Sequence, residues 1–230
     1  NDAEAMKRFV IDVLGYRERN IIDLRDATQA QLTSTFGKQG NHKGKLWSFI
    51  KEGKSEVTVF YSGHGVPGLD DQRGYLLPAN ADPATVDLNG FPVDVLYENL
   101  AKLPAQSVTV YLDACFSGQT PKGALVRATS GLSVEPRPPK ASTRLTVLTA
   151  ARGDQVASWD EEAKQGLFTR YLLEALRGAA DGGEFGDGDG VVSVGEVKRY
   201  LDEEMSYAAK RRYRRTQTAT VMGDEGVQLA

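Results

Sequence analysis

The chain has 230 residues, a formal net charge of −3, 40% hydrophobic and 26% charged side chains. That length suits one α/β domain with a full core, and the charge excludes the global basic field of a nucleic-acid binder. No apolar run approaches the roughly 20 residues of a membrane span. A single cysteine excludes an internal disulfide and fits a reducing, cytoplasmic setting.

Residues 2–14 read as an amphipathic helix, with Ala5, Phe9, Val10, Val13 and Leu14 on one face and Gly15 ending it. Ile21–Leu24 reads as a short strand. Thr28 followed by Gln31 is a capping-box pattern for a helix to about Phe36. A loop spans Gly37–Gly44, then a short helix spans Lys45–Glu52. Residues 56–61 form an apolar strand pattern leading into a glycine-rich loop with His64, and Tyr75–Pro78 is a short extended piece. Pro92 suits the first position of a helix over 92–102. Residues 107–113 form a second apolar strand, ending just before Cys115. Residues 117–143 hold four prolines and three glycines and read as a long exposed loop. A strand over 145–150, a helix over 167–176, a Gly/Asp-rich segment over 178–190, a charged helix over 196–212 and a terminal strand over 218–222 complete the chain. Strands alternating with helices predict an α/β fold with a mostly parallel sheet.

Two strands each deliver one reactive side chain at their C-terminal ends: His64 in Ser62-Gly63-His64-Gly65 and Cys115 in Asp113-Ala114-Cys115-Phe116-Ser117-Gly118. In an open α/β sheet those ends share an edge, where binding crevices lie. A lone cysteine after a strand is most often a small buried hydrophobe, and a lone histidine beside glycines is most often a loop residue. Together, at two strand ends, they are the minimum equipment for a thiol nucleophile with its base. The other histidine, His42, lies in a polar loop and reads as surface.

These motifs resemble the caspase-like cysteine proteases, in which a histidine lies about 50 residues before the cysteine. Asp113-Ala114-Cys115-Phe116-Ser117-Gly118 is most similar to metacaspases and their bacterial relatives (peptidase family C14). Asn1-Asp2-Ala3 before the first helix, Thr149-Ala150-Ala151 leading to Asp154-Gln155, and Gly166-Leu167-Phe168-Thr169 extend the resemblance over nearly the whole chain. It implies a caspase-like α/β/α sandwich over residues 1–230, with a large-subunit-like part (1–118), a linker (119–143) and a small-subunit-like part (144–230). It also implies a central strand ahead of the Asn-Asp motif.

By that resemblance Cys115 is the nucleophile of a cysteine endopeptidase, His64 the acid/base, and the N–H groups of Gly65 and Cys115 hold the oxyanion. Asp2, Ser62 and Asp113, with Asp154 as a weaker addition, line a pocket for Arg or Lys at P1, the residue before the cleaved bond. The partner is then a protein or peptide with a basic P1 residue, plus a possible activating protein, with no nucleic acid and no membrane. Asp113 has a rival role as a backbone cap and Asp2 as a helix N-cap. No cofactor is expected. Asp187, Asp189 and Glu196 match places of a calcium-binding loop, but its first place falls on Phe185, which cannot ligate, and residues 116–134 contain no Asp or Glu. Calcium is therefore not expected to be required. Asp70 and Asp71 read as solvated loop. The linker offers Lys122, Arg127 and Lys140 for self-cleavage. Two alternatives remain: a non-enzymatic caspase-homology binding module, and another His-Gly/Ala-Cys protease of legumain or gingipain type.

Overall fold

The computed structural model describes residues 1–68, 71, 73–117, 134 and 144–230, with the backbone of 119–120 and 123–124. Most of the expected linker, with Lys122, Arg127 and Lys140, therefore lies outside the described residues, as does Asp70. Among the described residues, eleven strands and seven α-helices follow in chain order: α1 (Asp2–Asp12), α2 (Gln29–Phe36), β1 (Glu56–Ser62), β2 (Gly65–Pro67), β3 (Gly74–Leu76), α3 (Val86–Asn89), β4 (Phe91–Pro92), α4 (Val93–Ala101), β5 (Ser107–Asp113), β6 (Gln119–Thr120), β7 (Gly123–Ala124), β8 (Leu145–Thr149), β9 (Trp159–Asp160), β10 (Gln165–Gly166), α5 (Leu167–Glu174), α6 (Val194–Tyr200), α7 (Ser206–Tyr213) and β11 (Thr220–Met222).

The main sheet has the order β1-β5-β8-β11, parallel except for β11. It draws strands from both sides of the linker. β5 and β8 are covered on both faces, which is why they read as continuous apolar runs rather than alternating ones. Strand alternation splits their side chains between two cores. Tyr111 and Leu148 pack with Phe9 of α1, Phe168 and Leu172 of α5 and Val197 of α6. Val110, Leu112 and Val147 pack with Leu32 of α2 and Leu96 and Leu100 of α4. The result is an α/β/α sandwich.

Local signals explain the helix ends. Thr28 and Gln31 form the expected capping box, and Ser193 with Glu196 forms a second one ahead of α6. That second cap starts the last long helix at Val194 rather than Glu196. Gly15 takes φ +71° just after α1, a conformation that glycine adopts freely. α5 ends at Glu174, and the chain continues through a wide turn to Ala179.

Several expectations are corrected. Ile21–Leu24 pairs with no strand. Ile21, Ile22 and Leu24 form one wall of a groove of about 880 Å³, whose other wall includes Val57, Val59 and Phe60 of β1. Among the described residues β1 is an edge strand of this sheet, and Ile21–Leu24 forms no ladder with it. The glycine-rich loop after β1 is itself ordered as β2, in a small antiparallel sheet with β3 and β4. Residues 45–49 form a 3₁₀ turn, and Pro92 precedes α4 as its N-cap residue. His42 is half-buried, with its ring edge against Trp47 at 4.9 Å. Val13, expected on the buried face of α1, is 49% exposed. Among the described residues no helix is long and apolar enough to cross a membrane.

Leu148 is fully buried at the centre of the sheet. Leu148→Ala should cost about 3 kcal/mol of unfolding free energy, because a rigid core collapses only partly around the lost atoms. Val13→Ser should change stability by about 0.5 kcal/mol or less. Urea denaturation monitored by far-UV circular dichroism checks both.

Candidate active site

The parallel register of β1 and β5 aligns Ser62 with Asp113. His64 and Cys115 each lie two residues beyond that pair. Adjacent strands are roughly 4.8 Å apart, so the two chain segments leave the sheet edge side by side. Gly63 N donates to Asp113 O at 3.1 Å, extending the pairing past the strand ends. Gly65 then packs on the Cys115 backbone: a Cβ there would stand 2.6 Å from Cys115 O and from the Phe116 ring. Only glycine permits that approach. The His64 carbonyl accepts from Leu77 N and from the Tyr61 hydroxyl, both at 2.9 Å. These bonds hold its backbone while the side chain stays exposed.

Cys115 is 9% exposed. Burial pushes its thiol above the usual range, while the Ala157 N–H and the Ser117 hydroxyl oppose that by favouring the thiolate. The Asp113 charge pushes the thiol up further. Ala157 belongs to a loop anchored from behind by Gln217, whose Oε1 accepts from Ser158 N at 2.7 Å and whose Nε2 donates to Ala150 O at 3.0 Å.

Beside the cysteine the fold gathers three expected residues. The Ser62 hydroxyl donates to Asp2 Oδ2 at 2.7 Å, and Gly166 N donates to Asp2 Oδ1 at 3.1 Å. Asp113 Oδ2 accepts from Thr169 N at 3.2 Å and from Thr169 Oγ1 at 2.5 Å. Asp2 and Asp113 are 5% and 7% exposed. Among the described residues no Lys or Arg bonds to either, although buried carboxylates are normally paired. Burial pushes Asp113 up to about 6, the Thr169 hydroxyl pulls against it, and the Asp2 charge adds to the rise. Asp2 does not cap α1; that position is Asn1, whose side chain reaches instead to Lys164 O at 2.8 Å. Asp154 stands apart: it is exposed, and no hydrogen bond joins it to Asp2, Ser62 or Asp113. Sequence reasoning did not single out Thr169, Gly166 and Ala157 as site residues. The Gly-Leu-Phe-Thr motif contained the first two, but nothing in it shows which groups face the carboxylates.

The calcium-loop pattern has a different first place from the one its spacing implies. Asp181, not Phe185, comes together with Asp187 and Glu196, their carboxylate oxygens all within 4.8 Å. Such an oxygen set is the type a hard cation takes. The same oxygens also serve the turn: Asp181 accepts from Gly190 N, and Glu196 accepts from Ser193 N and Asp187 N. Asp71 accepts from Arg73 N and the Tyr75 hydroxyl.

The raised pKa of Asp113 has a consequence for stability. The native carboxyl keeps its proton to about pH 6, whereas the unfolded one loses it near 4. The native state therefore binds more protons between those values, and stability falls as pH rises through that window and stays lower above it. Asp113→Asn should make the protein more stable than wild type at pH 7.5, by roughly 2 kcal/mol, with the difference closing toward pH 4. Denaturant titrations at both pH values check this; a less stable variant at pH 7.5 would contradict it.

Comparison with known proteins identifies the family of the chain. The caspase domain profile of peptidase family C14 matches residues 1–221. Metacaspase-1 of Eremothecium gossypii is 29% identical over 145 residues, which is 59% of this chain and 31% of that protein. The chain thus matches about a third of that relative's length. A profile that runs from Asn1 into β11 spans both strand ends and the two buried carboxylates Asp2 and Asp113, and on that coverage the chain belongs to the caspase-domain peptidase family, C14.

Proposed function

We propose that the protein is a cysteine endopeptidase that cleaves after Arg or Lys. The observation that carries this reading is the pair of buried carboxylates, Asp2 and Asp113, with no bonded cation among the described residues, directly beside a strand-end cysteine. A guanidinium or ammonium group supplies the missing charge. The rival reading as a binding module would leave that buried negative charge without a purpose.

The chemistry follows from the strand ends. His64 removes the Cys115 proton, and Sγ attacks the carbonyl carbon after the basic residue. The oxyanion takes hydrogen bonds from the N–H groups of Gly65 and Cys115. His64 then returns the proton to the departing amine as the C–N bond breaks, leaving a thioester. Water, deprotonated by His64, attacks that thioester and releases the carboxylic acid and the free thiol. Because the resting thiol is held above its usual pKa by burial, proton removal accompanies attack rather than preceding it as a stable ion pair.

Cys115→Ala and His64→Ala should each lower kcat/KM on a P1-Arg peptide by about 1,000-fold or more, and the double variant should be little worse than either single one. Fluorogenic peptides with Arg, Lys, Asp and citrulline (the uncharged isostere of arginine) at P1 provide the measurement. Near-normal turnover in either single variant would refute the dyad. A wild type that favours Asp, or does not distinguish Arg from citrulline, would refute the acidic pocket.

A further inference from the structure

We infer that Thr169 is a positioning residue for P1 recognition, holding the Asp113 carboxylate ionised and oriented for the incoming cation. This rests on the basic-P1 reading above and adds to it the group that makes the pocket work.

Thr169 is 0% exposed, in the first turn of α5. A buried threonine hydroxyl in a helix ordinarily returns its hydrogen bond to a carbonyl one turn earlier. Thr169 instead has Oγ1 2.5 Å from Asp113 Oδ2, and its backbone N–H lies 3.2 Å from the same oxygen. Oδ2 is thereby occupied twice from the helix side, while Oδ1 takes no bond from either Thr169 donor and is left for a ligand. The neighbouring residue of the same turn acts on the other carboxylate: Gly166 N donates to Asp2 Oδ1, and the Ser62 hydroxyl donates to Asp2 Oδ2. Each acid is thus fixed by donors from the start of α5, where backbone N–H groups and the helix dipole favour negative charge. Gly166 also cannot carry a side chain, since a Cβ there would lie 2.0 Å from Asp113 Oδ2.

The groups acting on Asp113 come from each neighbouring element. Thr169 donates from α5, the Asp2 charge opposes ionisation from α1, and Cys115 lies two residues on along its own chain. Ser62, paired with Asp113 in register, is turned to Asp2. Of these, Thr169 is the one that stabilises the charged form. Without its hydroxyl, Asp113 retains the backbone donor alone and protonates at higher pH, and a neutral Asp113 does not attract a cation.

The test uses Thr169→Val, which keeps the shape and the backbone N–H and removes the hydroxyl, and Thr169→Ser, which restores the hydroxyl without the methyl. For each protein, kcat/KM is measured on paired P1-Arg and P1-citrulline peptides from pH 5 to 8.5, together with the rate of Cys115 alkylation by iodoacetamide. Thr169→Val should lower the Arg/citrulline ratio at pH 7 by about tenfold, the scale of one charge-assisted hydrogen bond. It should also move the acid limb of the P1-Arg profile to higher pH without slowing alkylation, since a less ionised Asp113 raises the thiol less. Thr169→Ser should recover most of the ratio. An unchanged ratio and acid limb in Thr169→Val would overturn the inference, as would a loss shared equally by both peptides, which marks a merely structural role. A wild type that does not prefer Arg to citrulline overturns the underlying reading instead, so the two failures are distinguishable.

Discussion

The pairing of β1 with β5 in the register that opposes Ser62 to Asp113 is the constraint on which the site depends. A parallel ladder has no freedom to slip by one residue without turning every buried side chain of β1 outward. Val57 and Val59 are both buried, so the register is held by the core, well away from the chemistry. Everything at the sheet edge inherits it. His64 and Cys115 emerge at the same height, Gly63 continues the ladder for one more bond, and Gly65 lies flat against the cysteine backbone. The placement of His64 and Cys115 is a by-product of hydrophobic packing some residues upstream.

The second half of the chain completes what the first half leaves charged. α5 follows directly on the β9–β10 hairpin, and β10 ends at Gly166. The start of α5 therefore brings the Gly166 and Thr169 N–H groups to the two buried acids, since the first N–H groups of a helix have no intrahelical partner. Those donors offset part of the cost of burying Asp2 and Asp113. They do not remove it, since Asp113 remains pushed up to about 6. A folded protein that keeps such a cost has a site tuned for something other than its own stability.

Much of this was legible in the sequence. The apolar runs that became β5 and β8, the Thr28–Gln31 cap and the two strand-end motifs depend on local chemistry, which residue order records directly. Asp2, Ser62 and Asp113 were expected together; the Ser62 hydroxyl bonds Asp2, and Asp113 lies opposite Ser62 in the strand register. Ile21–Leu24 failed as a strand because pairing is a property of two segments, and the sequence of one cannot show whether the other lies within reach. Asp154 is exposed, in a loop tied down by Gln155, whose Oε1 accepts from Thr218 N; an acid in a loop goes where the loop is anchored. Asp181 and Thr169 were missed because each acts across a turn or a layer, at a distance along the chain that no spacing rule encodes.

The pocket and the nucleophile are electrostatically one system. Burial raises the Cys115 thiol pKa most, and the Asp113 charge adds a smaller rise, so an ionised, unoccupied Asp113 adds to the restraint on the thiol. A cation placed on Asp113 cancels that field at the sulfur while leaving the Ala157 and Ser117 donors in place. On the proposed reading, binding of a basic side chain does more than anchor the peptide. It lowers the cost of forming the thiolate at the moment the carbonyl is within reach, so part of the specificity is expressed in the chemical step and not in binding alone. On that reading the acid proposed to recognise the substrate also restrains the thiol in its absence, and the two effects have one origin in the two-residue spacing between Asp113 and Cys115.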